Sequence, residues 1–365
     1  MRTISVDLEA IASNYKTLKS LTSAKVMAIV KADAFGHGII EVSKKLESIG
    51  VDMLATADLE EAQEIRAAGI KSPILAWLHG SETDFAAAIK NDIQIGISTV
   101  AGLEAVANSA RQVSGTAKVH LKVDTGLGRN GAALSDWPSV VAKAVALKNE
   151  GLVELVGVFS HLSGTSTKDD ADQLAVFEQA VSQAESLGAH FQLRHLAASA
   201  ATLSNEAAHL DMVRVGIALY GLDPTTHLKA VDFSLVPAMR VSSEVVSVKQ
   251  VPAGHGVSYG YLHKTSGPST LALVPFGYAE GMPRIATGRA SVLLNGKRYP
   301  ILARIAMDQF ILDVGSDPVK VGDEVVIFGN GAKGEPTAEE LAIASETINY
   351  EIVTRIGGRA KRVFK

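Results

Sequence analysis

Eight short apolar runs, separated by segments of helical character, fill the first two-thirds of the chain and constrain its fold more than any other feature. They fall at Lys25–Lys31, Asp52–Ala57, Ile74–Leu78, Ile93–Ile97, Ala117–Val123, Leu155–Phe159, Phe191–His195 and Asp211–Val215. The first helix is predicted just after Asp7, which can cap it, with Leu8, Ile11, Tyr15 and Leu18 on one face. Another is predicted over Leu59–Ala68 and stopped by Gly69. A longer one carries Leu174, Phe177, Val181, Ala184 and Leu187 as a stripe and is stopped by Gly188. Strand and helix in alternation imply a parallel sheet. Eight repeats predict closure into a (β/α)8 barrel, here residues 8–230.

The pattern changes after about residue 230. Runs rich in Val, Ile and Leu at Met239–Val251, Thr270–Pro275, Ala290–Leu294, Arg298–Ile305, Phe310–Val314 and Asp323–Phe328 are separated by Gly and Pro. This punctuation predicts a mostly antiparallel β domain over 231–365. One helix is expected at Ala338–Ser345, capped by Thr337 with Glu340 at the box position. The opening segment 1–7, with its strand Thr3–Val6, is expected to join this second domain.

Composition removes whole classes of function. With no Cys among 365 residues there is no disulfide framework, thiolate metal site or cysteine nucleophile. A net charge of −4 argues against a nucleic-acid partner, which needs a basic footprint. The first residues turn polar before a signal-peptide core can form, and no stretch approaches the roughly 20 apolar residues of a membrane span. A cytoplasmic enzyme without a membrane partner is expected. The 10 His show no H-x-H or H-E-x-x-H spacing, so no metal is expected.

Two segments match G-x-G-x-x-G, Gly126–Gly131 and Gly329–Gly334. A dinucleotide fingerprint needs a helix opening at once after the strand. The first has no helix until near Asp136 and the second lies in the β-rich region, so both read as turns. The stronger signal is positional, because barrel enzymes place their chemistry just past the C-terminal ends of the strands. Lys31 ends the first run; Lys122, Asp124 and Arg129 close or follow the fifth; Ser160 and His161 follow the sixth. His195 and Ser199 come with the seventh, and Arg214 with Gly216 closes the eighth. Several cations at one rim repel each other and call for an anionic ligand. A phosphorylated cofactor fits. Lys31 is the candidate nucleophile, since lysine forms Schiff bases with carbonyl cofactors. Ser199 and Gly216 could hold a phosphate through hydroxyl and backbone N–H groups.

These residues resemble a known family, the bacterial alanine racemases, which are pyridoxal-phosphate enzymes with a barrel and a C-terminal β domain. The likeness runs nearly end to end. It is carried by V-K-A-D-A-F-G-H-G at Val30–Gly38, K-V-D-T-G-L-G-R-N-G at Lys122–Gly131 and R-V-G-I-A-L-Y-G at Arg214–Gly221. G-V-S-Y-G at Gly256–Gly260, G-Y-A-E-G at Gly277–Gly281 and R-I-A-M-D-Q at Arg304–Gln309 complete it.

The resemblance implies that Lys31 carries pyridoxal 5'-phosphate and moves the α-proton on one face of the substrate. Tyr259, from the partner subunit of a homodimer with shared sites, would serve the other face. Arg214 would hydrogen-bond the pyridine nitrogen, with His161 against the ring and linking Tyr259 to Arg214. Arg129 would contact the cofactor and the substrate carboxylate, and Lys122 matches a position that is carbamylated in many members. Ser199, Gly216 and Ile217 would bind the phosphate. Met307 would meet the substrate carboxylate and Tyr278 would narrow the entrance. The implied activity is interconversion of L- and D-alanine, supplying D-alanine for peptidoglycan.

Three positions depart from the family pattern. Phe35 stands where a Tyr is usual, Ala198 replaces an Asn, and Gly357-Gly358 align where many members place another phosphate-contacting Tyr. At about 0.5–1.5 kcal/mol per lost hydrogen bond, weaker cofactor retention is expected. Alternatives remain open: a racemase for serine or another small amino acid, a barrel-type decarboxylase or aldolase using the same cofactor, a cofactor carrier, or a metal-dependent barrel hydrolase.

Overall fold

The computed structural model describes all residues, 1–365. Strand β1, Thr3–Val6, leads to a helix over Leu8–Ser20 whose first turn is capped by Asp7, accepting from the Ala10 N–H at 2.9 Å. The barrel follows as β2 (Lys25–Ile29), β3 (Met53–Thr56), β4 (Ile74–Ala76), β5 (Ile93–Ile97), β6 (Ala117–Lys122), β7 (Val153–Phe159), β8 (Leu193–Ala198) and β9 (Met212–Val215). Every neighbouring pair is parallel, and β9 returns to β2 to close the ring. The eight apolar runs therefore form the eight barrel strands. Their interiors are mostly apolar, because helices cover the outside while side chains fill the inside, with Gln94 in β5 and His120 in β6 as exceptions.

The Thr167–Ser186 helix differs in detail from its predicted stripe. Phe177, Val181 and Ala184 are buried as expected, but Leu187 lies past the last turn and is exposed. Gln173 takes the buried position instead, because its side-chain oxygen accepts the Ser163 N–H at 2.8 Å.

The rest of the chain adds β10 (Met239–Glu244), β11 (Ser247–Val251), β12 (Gly256–Val257), β13 (His263–Lys264) and β14 (Ser269–Val274). It continues with β15 (Ser291–Leu294), β16 (Lys297–Pro300), β17 (Phe310–Gly315), β18 (Glu324–Phe328) and β19 (Lys361–Phe364). A six-stranded sheet runs β16-β15-β18-β10-β1-β19, a second sheet runs β11-β14-β17, and β12 with β13 makes a two-stranded ribbon. The single run Met239–Val251 thus splits between two sheets. The two ends of the chain meet, since β1 pairs antiparallel with β10 and parallel with β19. Ile4 and Val6 are buried while Thr3 and Ser5 alternate outward, the pattern of a strand with one face on the core.

The Ala338–Ala344 helix carries the expected Thr337–Glu340 capping box. A second helix, Asn349–Arg355, and the short charged strand β19 were not expected from the sequence. The helix has no side-chain cap and is held by Asn349, Ile352 and Val353 packing inward. One continuous hydrophobic core includes Val26 of β2, Val215 of β9, Val241 of β10 and Val353, so the β domain is packed directly onto the barrel. No helix is long and apolar enough to cross a membrane.

Candidate active site

β2 ends at Ile29, two residues earlier than the apolar run suggested, and the backbone then does something rare. Ala32, Asp33, Ala34 and Phe35 take φ values of 52, 53, 53 and 54°, a left-handed turn built from four non-glycine residues. Left-handed helical backbone costs roughly 1–2 kcal/mol per residue, so the turn must be held from outside. It is. The Asp33 carboxylate accepts the Ile39 N–H at 2.7 Å and pairs with Arg362 at 2.8 Å, while Glu61 accepts the N–H groups of Asp33 and Ala57. Gly36 follows at φ +79° with Val353 O only 2.3 Å from where a Cβ would stand. The V-K-A-D-A-F-G-H-G segment is therefore a structural device that sets Lys31 at the barrel rim.

Lys31 shares that rim with Lys122, Arg129, His161 and Arg214. Burial and the Arg129 guanidinium hold the Lys31 amine below the ordinary lysine value, partly opposed by Glu61. Lys122, the last residue of β6, is 7% exposed, with Nζ 5.4 Å from the Phe159 ring centre. Burial, then Arg214, Arg129 and Lys31, push its amine down to about 8, against Asp124. His161 is driven down to about 3 by burial and the same cations, so its ring is neutral. Arg214, on β9, is pressed down to about 9 by burial and Arg129, and remains charged at neutral pH.

The Arg214 bonds all come from its two terminal nitrogens. Nη1 donates to His195 O at 2.8 Å and His195 Nδ1 at 3.2 Å. Nη2 donates to Ser160 O at 2.7 Å, Leu196 O at 3.0 Å and His161 Nδ1 at 3.0 Å. Since an arginine can only donate, His161 Nδ1 is an acceptor and the ring proton sits on Nε2. The Arg214 Nε–H has no acceptor inside the chain.

At the neighbouring strand ends, Ser199 Oγ accepts from the Gly216 N–H at 2.9 Å and the Ala218 N–H at 3.3 Å. Ile217 lies between those two amides. Phe35 Cζ is 3.0 Å from the position of a Gly216 Cβ, so the para carbon of that ring is aimed at this cluster. Together these groups present neutral donors at one end and four cations with a neutral imidazole at the other. That donor set fits a phosphorylated heterocycle bearing an aldehyde, with Ser199, Gly216 and Ile217 for the phosphate, Arg214 Nε for a ring nitrogen and Lys31 for the carbonyl carbon.

Three expected residues are elsewhere. Tyr259, Met307 and Tyr278 lie on the surface of the β domain, 70%, 54% and 43% exposed. Tyr259 follows Ser258, which sits at φ 57°, ψ −171° and donates its hydroxyl to Arg304 O at 2.8 Å. Within one chain its own hydroxyl has no hydrogen-bond partner, and nothing joins it to Lys31, His161 or Arg214. Met307 and Tyr278 are set side by side, because Ala279 N–H donates to Met307 O and Tyr278 N–H to Ala306 O. Gly358, at φ +59°, has Ala279 O 2.4 Å from where a Cβ would stand, so this backbone leaves no room for a tyrosine there.

Both glycine-rich matches are turns. The Asp124 carboxylate takes the N–H groups of Gly126 and Gly128, and the next helix starts only after Asp136. Gly329–Gly334 links β18 to the Ala338–Ala344 helix. The sequence reading missed Glu61 and Ala218, and it passed over Gln94 and His120, which lie buried inside barrel strands. The signal for the last two was present: a polar residue in the middle of an apolar parallel strand, as in Ile93-Gln94-Ile95 and Val119-His120-Leu121.

Comparison with known proteins agrees with this arrangement over the whole chain. The model for the alanine racemase N-terminal domain matches residues 6–224 and that for the C-terminal domain matches residues 238–364. An alanine racemase of Frankia casuarinae is 45% identical over 362 residues, covering 98% of this chain and 94% of its own. One from Thermobifida fusca is 44% identical over 363 residues, covering 98% and 96%. The crystal structure of alanine racemase from D-cycloserine producing Streptomyces lavendulae superposes with a TM-score of 0.98 at 43% identity, covering all of this chain and 97% of that one. Barrel, β domain and end-to-end likeness lead to one conclusion: this chain is an enzyme of the alanine racemase family.

Proposed function

We propose that the protein interconverts L- and D-alanine with pyridoxal 5'-phosphate by a two-base route, as a cytoplasmic homodimer that supplies D-alanine for peptidoglycan. The observation that supports this most is the meeting of Lys31, Lys122, Arg129 and Arg214 at one barrel end, beside the neutral donors of Ser199, Gly216 and Ile217. When bound, pyridoxal phosphate supplies an electron sink that makes the α-proton of an amino acid acidic. Lys31, its charge disfavoured by burial and Arg129, holds or releases a proton on one face. The opposite face needs a second base, assigned here to the partner subunit's Tyr259. A free tyrosine titrates near ~10, so it works near neutral pH only beside donors and cations. His161 can offer Nε2–H to it, being fixed by Arg214 at Nδ1.

Arg129 and the Met307 backbone N–H are assigned to the substrate carboxylate, and Tyr278, beside Met307, to the width of the entrance. Lys122 is assigned a carbamate that orients Arg129; an amine pushed down to about 8 supports this, because only the neutral amine reacts with carbon dioxide. Residues 8–230 would hold the cofactor and 231–365, with 1–7, would complete the partner's site. Chiral analysis of products from a panel of L-amino acids, with borohydride reduction and peptide mapping, tests the assignment. The expected result is fastest conversion of alanine and a pyridoxyl label on Lys31. Faster turnover of serine, or a label on another lysine, overturns it.

A further inference from the structure

Behind Arg214 the barrel interior holds a line of polar side chains to which nothing above assigns a task. His195 Nε2 lies 2.9 Å from His120 Nδ1, and His120 Nε2 lies 2.7 Å from Gln94 Oε1. Both rings are fully buried, and Gln94 is nearly so. The Phe159 ring stacks on His195 at 4.8 Å, and β7 makes space for His120 at Gly157, where a Cβ would stand 2.3 Å from His120 Nδ1. Barrel interiors are ordinarily filled by branched apolar residues, so four polar groups in series across four strands are unusual.

The direction of this line is forced. Arg214 Nη1 can only donate, so His195 Nδ1 accepts and the His195 proton is on Nε2. That N–H donates to His120 Nδ1, which places the His120 proton on Nε2, and this in turn donates to Gln94 Oε1. Turning the Gln94 amide around would reverse both tautomers and set His195 Nδ1–H against an Arg214 N–H. One orientation survives. The second feature is the absence of any carboxylate bonded to Arg214. All its acceptors are carbonyl oxygens or neutral imidazole nitrogens, so no anion is hydrogen-bonded to it.

We propose that Gln94, His120 and His195 are positioning residues for the reaction: a one-way, uncharged hydrogen-bond chain that holds the Arg214 guanidinium as an uncompensated cation with Nε–H directed at the ring nitrogen of the cofactor. The inference rests on the cofactor reading above. A carboxylate in place of His195 would hold the arginine equally well but neutralise it, and the ring nitrogen would then bind a proton more easily. The chain supplies rigidity without that cost.

The test uses His120→Leu, His120→Gln and Gln94→Met in the full-length protein. Glutamine at 120 keeps one acceptor and one donor in series; leucine breaks the chain. Side-chain 15N spectra of histidine-labelled wild type, with and without cofactor, should show His120 and His195 protonated on Nε2. His120→Leu should raise the ratio of transamination to racemisation by ~10-fold, about the effect of leaving the buried His195 Nε2–H without an acceptor. His120→Gln should stay within ~3-fold of wild type. If His120→Leu does not fold, Gln94→Met, at the far end of the line, should raise the ratio by a few-fold and broaden or shift the His120 signals. Wild-type spectra showing Nδ1–H at either ring, or a folded His120→Leu or Gln94→Met with the wild-type ratio, would overturn the chain. Failure of wild type to racemise alanine would instead remove the functional reading while the spectra still decide the tautomers.

Discussion

The rim around Lys31 and the loop around Tyr259 are built on opposite principles. Around Lys31 the chain satisfies itself: a left-handed turn is pinned by Asp33, Glu61 and Arg362, and Arg214 donates five hydrogen bonds to its own barrel. Around Tyr259 the tyrosine hydroxyls find no partner within the chain. Tyr259, Tyr261 and Leu262 stand 70%, 64% and 58% exposed in one short segment, next to a serine in a strained backbone conformation. Clustered exposed aromatic side chains are what an interface presents before its partner arrives. On the proposed function the difference marks a division of labour: the Lys31 rim would be one half of a site and the Tyr259 loop would complete the site of a partner subunit.

The sharpest way to break that comparison is to separate the two halves. Homodimers of Lys31→Ala and of Tyr259→Phe should each lose on the order of 10²–10⁴ in rate, the usual worth of a positioned acid or base. Mixed and allowed to exchange subunits, they should recover roughly a quarter of wild-type activity, because half the dimers are hybrids with one intact mouth of two. No recovery despite demonstrated exchange would mean that Tyr259 serves its own chain.

A smaller effect sharpens the account of the satisfied half. Arg214→Glu replaces the uncancelled cation by an anion beside the expected ring nitrogen. Racemisation should fall ~10²-fold or more while transamination rises, since removing preorganised charge typically costs that much. Unchanged product partition in the folded variant would sink this role for β9.

Lys122 gives a pH test of the same half. Its value of about 8 lies below the ordinary 10.5, so the folded state disfavours the ammonium form at neutral pH. In linkage terms the unfolded chain binds more protons between those values; the burial penalty is fully present below about 8 and relieved as pH rises toward 10.5. Uptake of 13C-bicarbonate as a carbamate should therefore climb between pH of about 6.5 and about 8.5. Uptake that begins only near the ordinary lysine value would contradict the burial argument.

The smallest expected effect is at Phe35. Its para carbon points at Gly216, so Phe35→Tyr should place a hydroxyl on the group of donors proposed to hold the phosphate and slow cofactor release by about 2–10-fold, the value of one hydrogen bond. Equal or faster release, followed by absorbance during dialysis, would show that the ring only packs against Tyr220, 5.0 Å away.

The eightfold alternation of apolar run and crossover was sufficient to predict the closed barrel, because parallel strands joined by helices have few other ways to bury both faces. The sequence also marked Lys31, Lys122, Arg129, His161, Ser199, Arg214 and Gly216 as rim residues, since position at a strand end is a property of order along the chain. It did not show what holds them. The partners of the Lys31 turn come from Glu61, Val353 and Arg362, far apart in sequence, and the strand bearing Arg362 exists only because β19 finds β1. In the same way Gln94, His120 and His195 are three isolated polar residues until barrel closure stacks β5, β6 and β8 around them. Local periodicity sets which face of a segment is apolar; only closure of the barrel, which brings distant strand ends within hydrogen-bond reach, decides which polar groups meet there and in which direction their protons point.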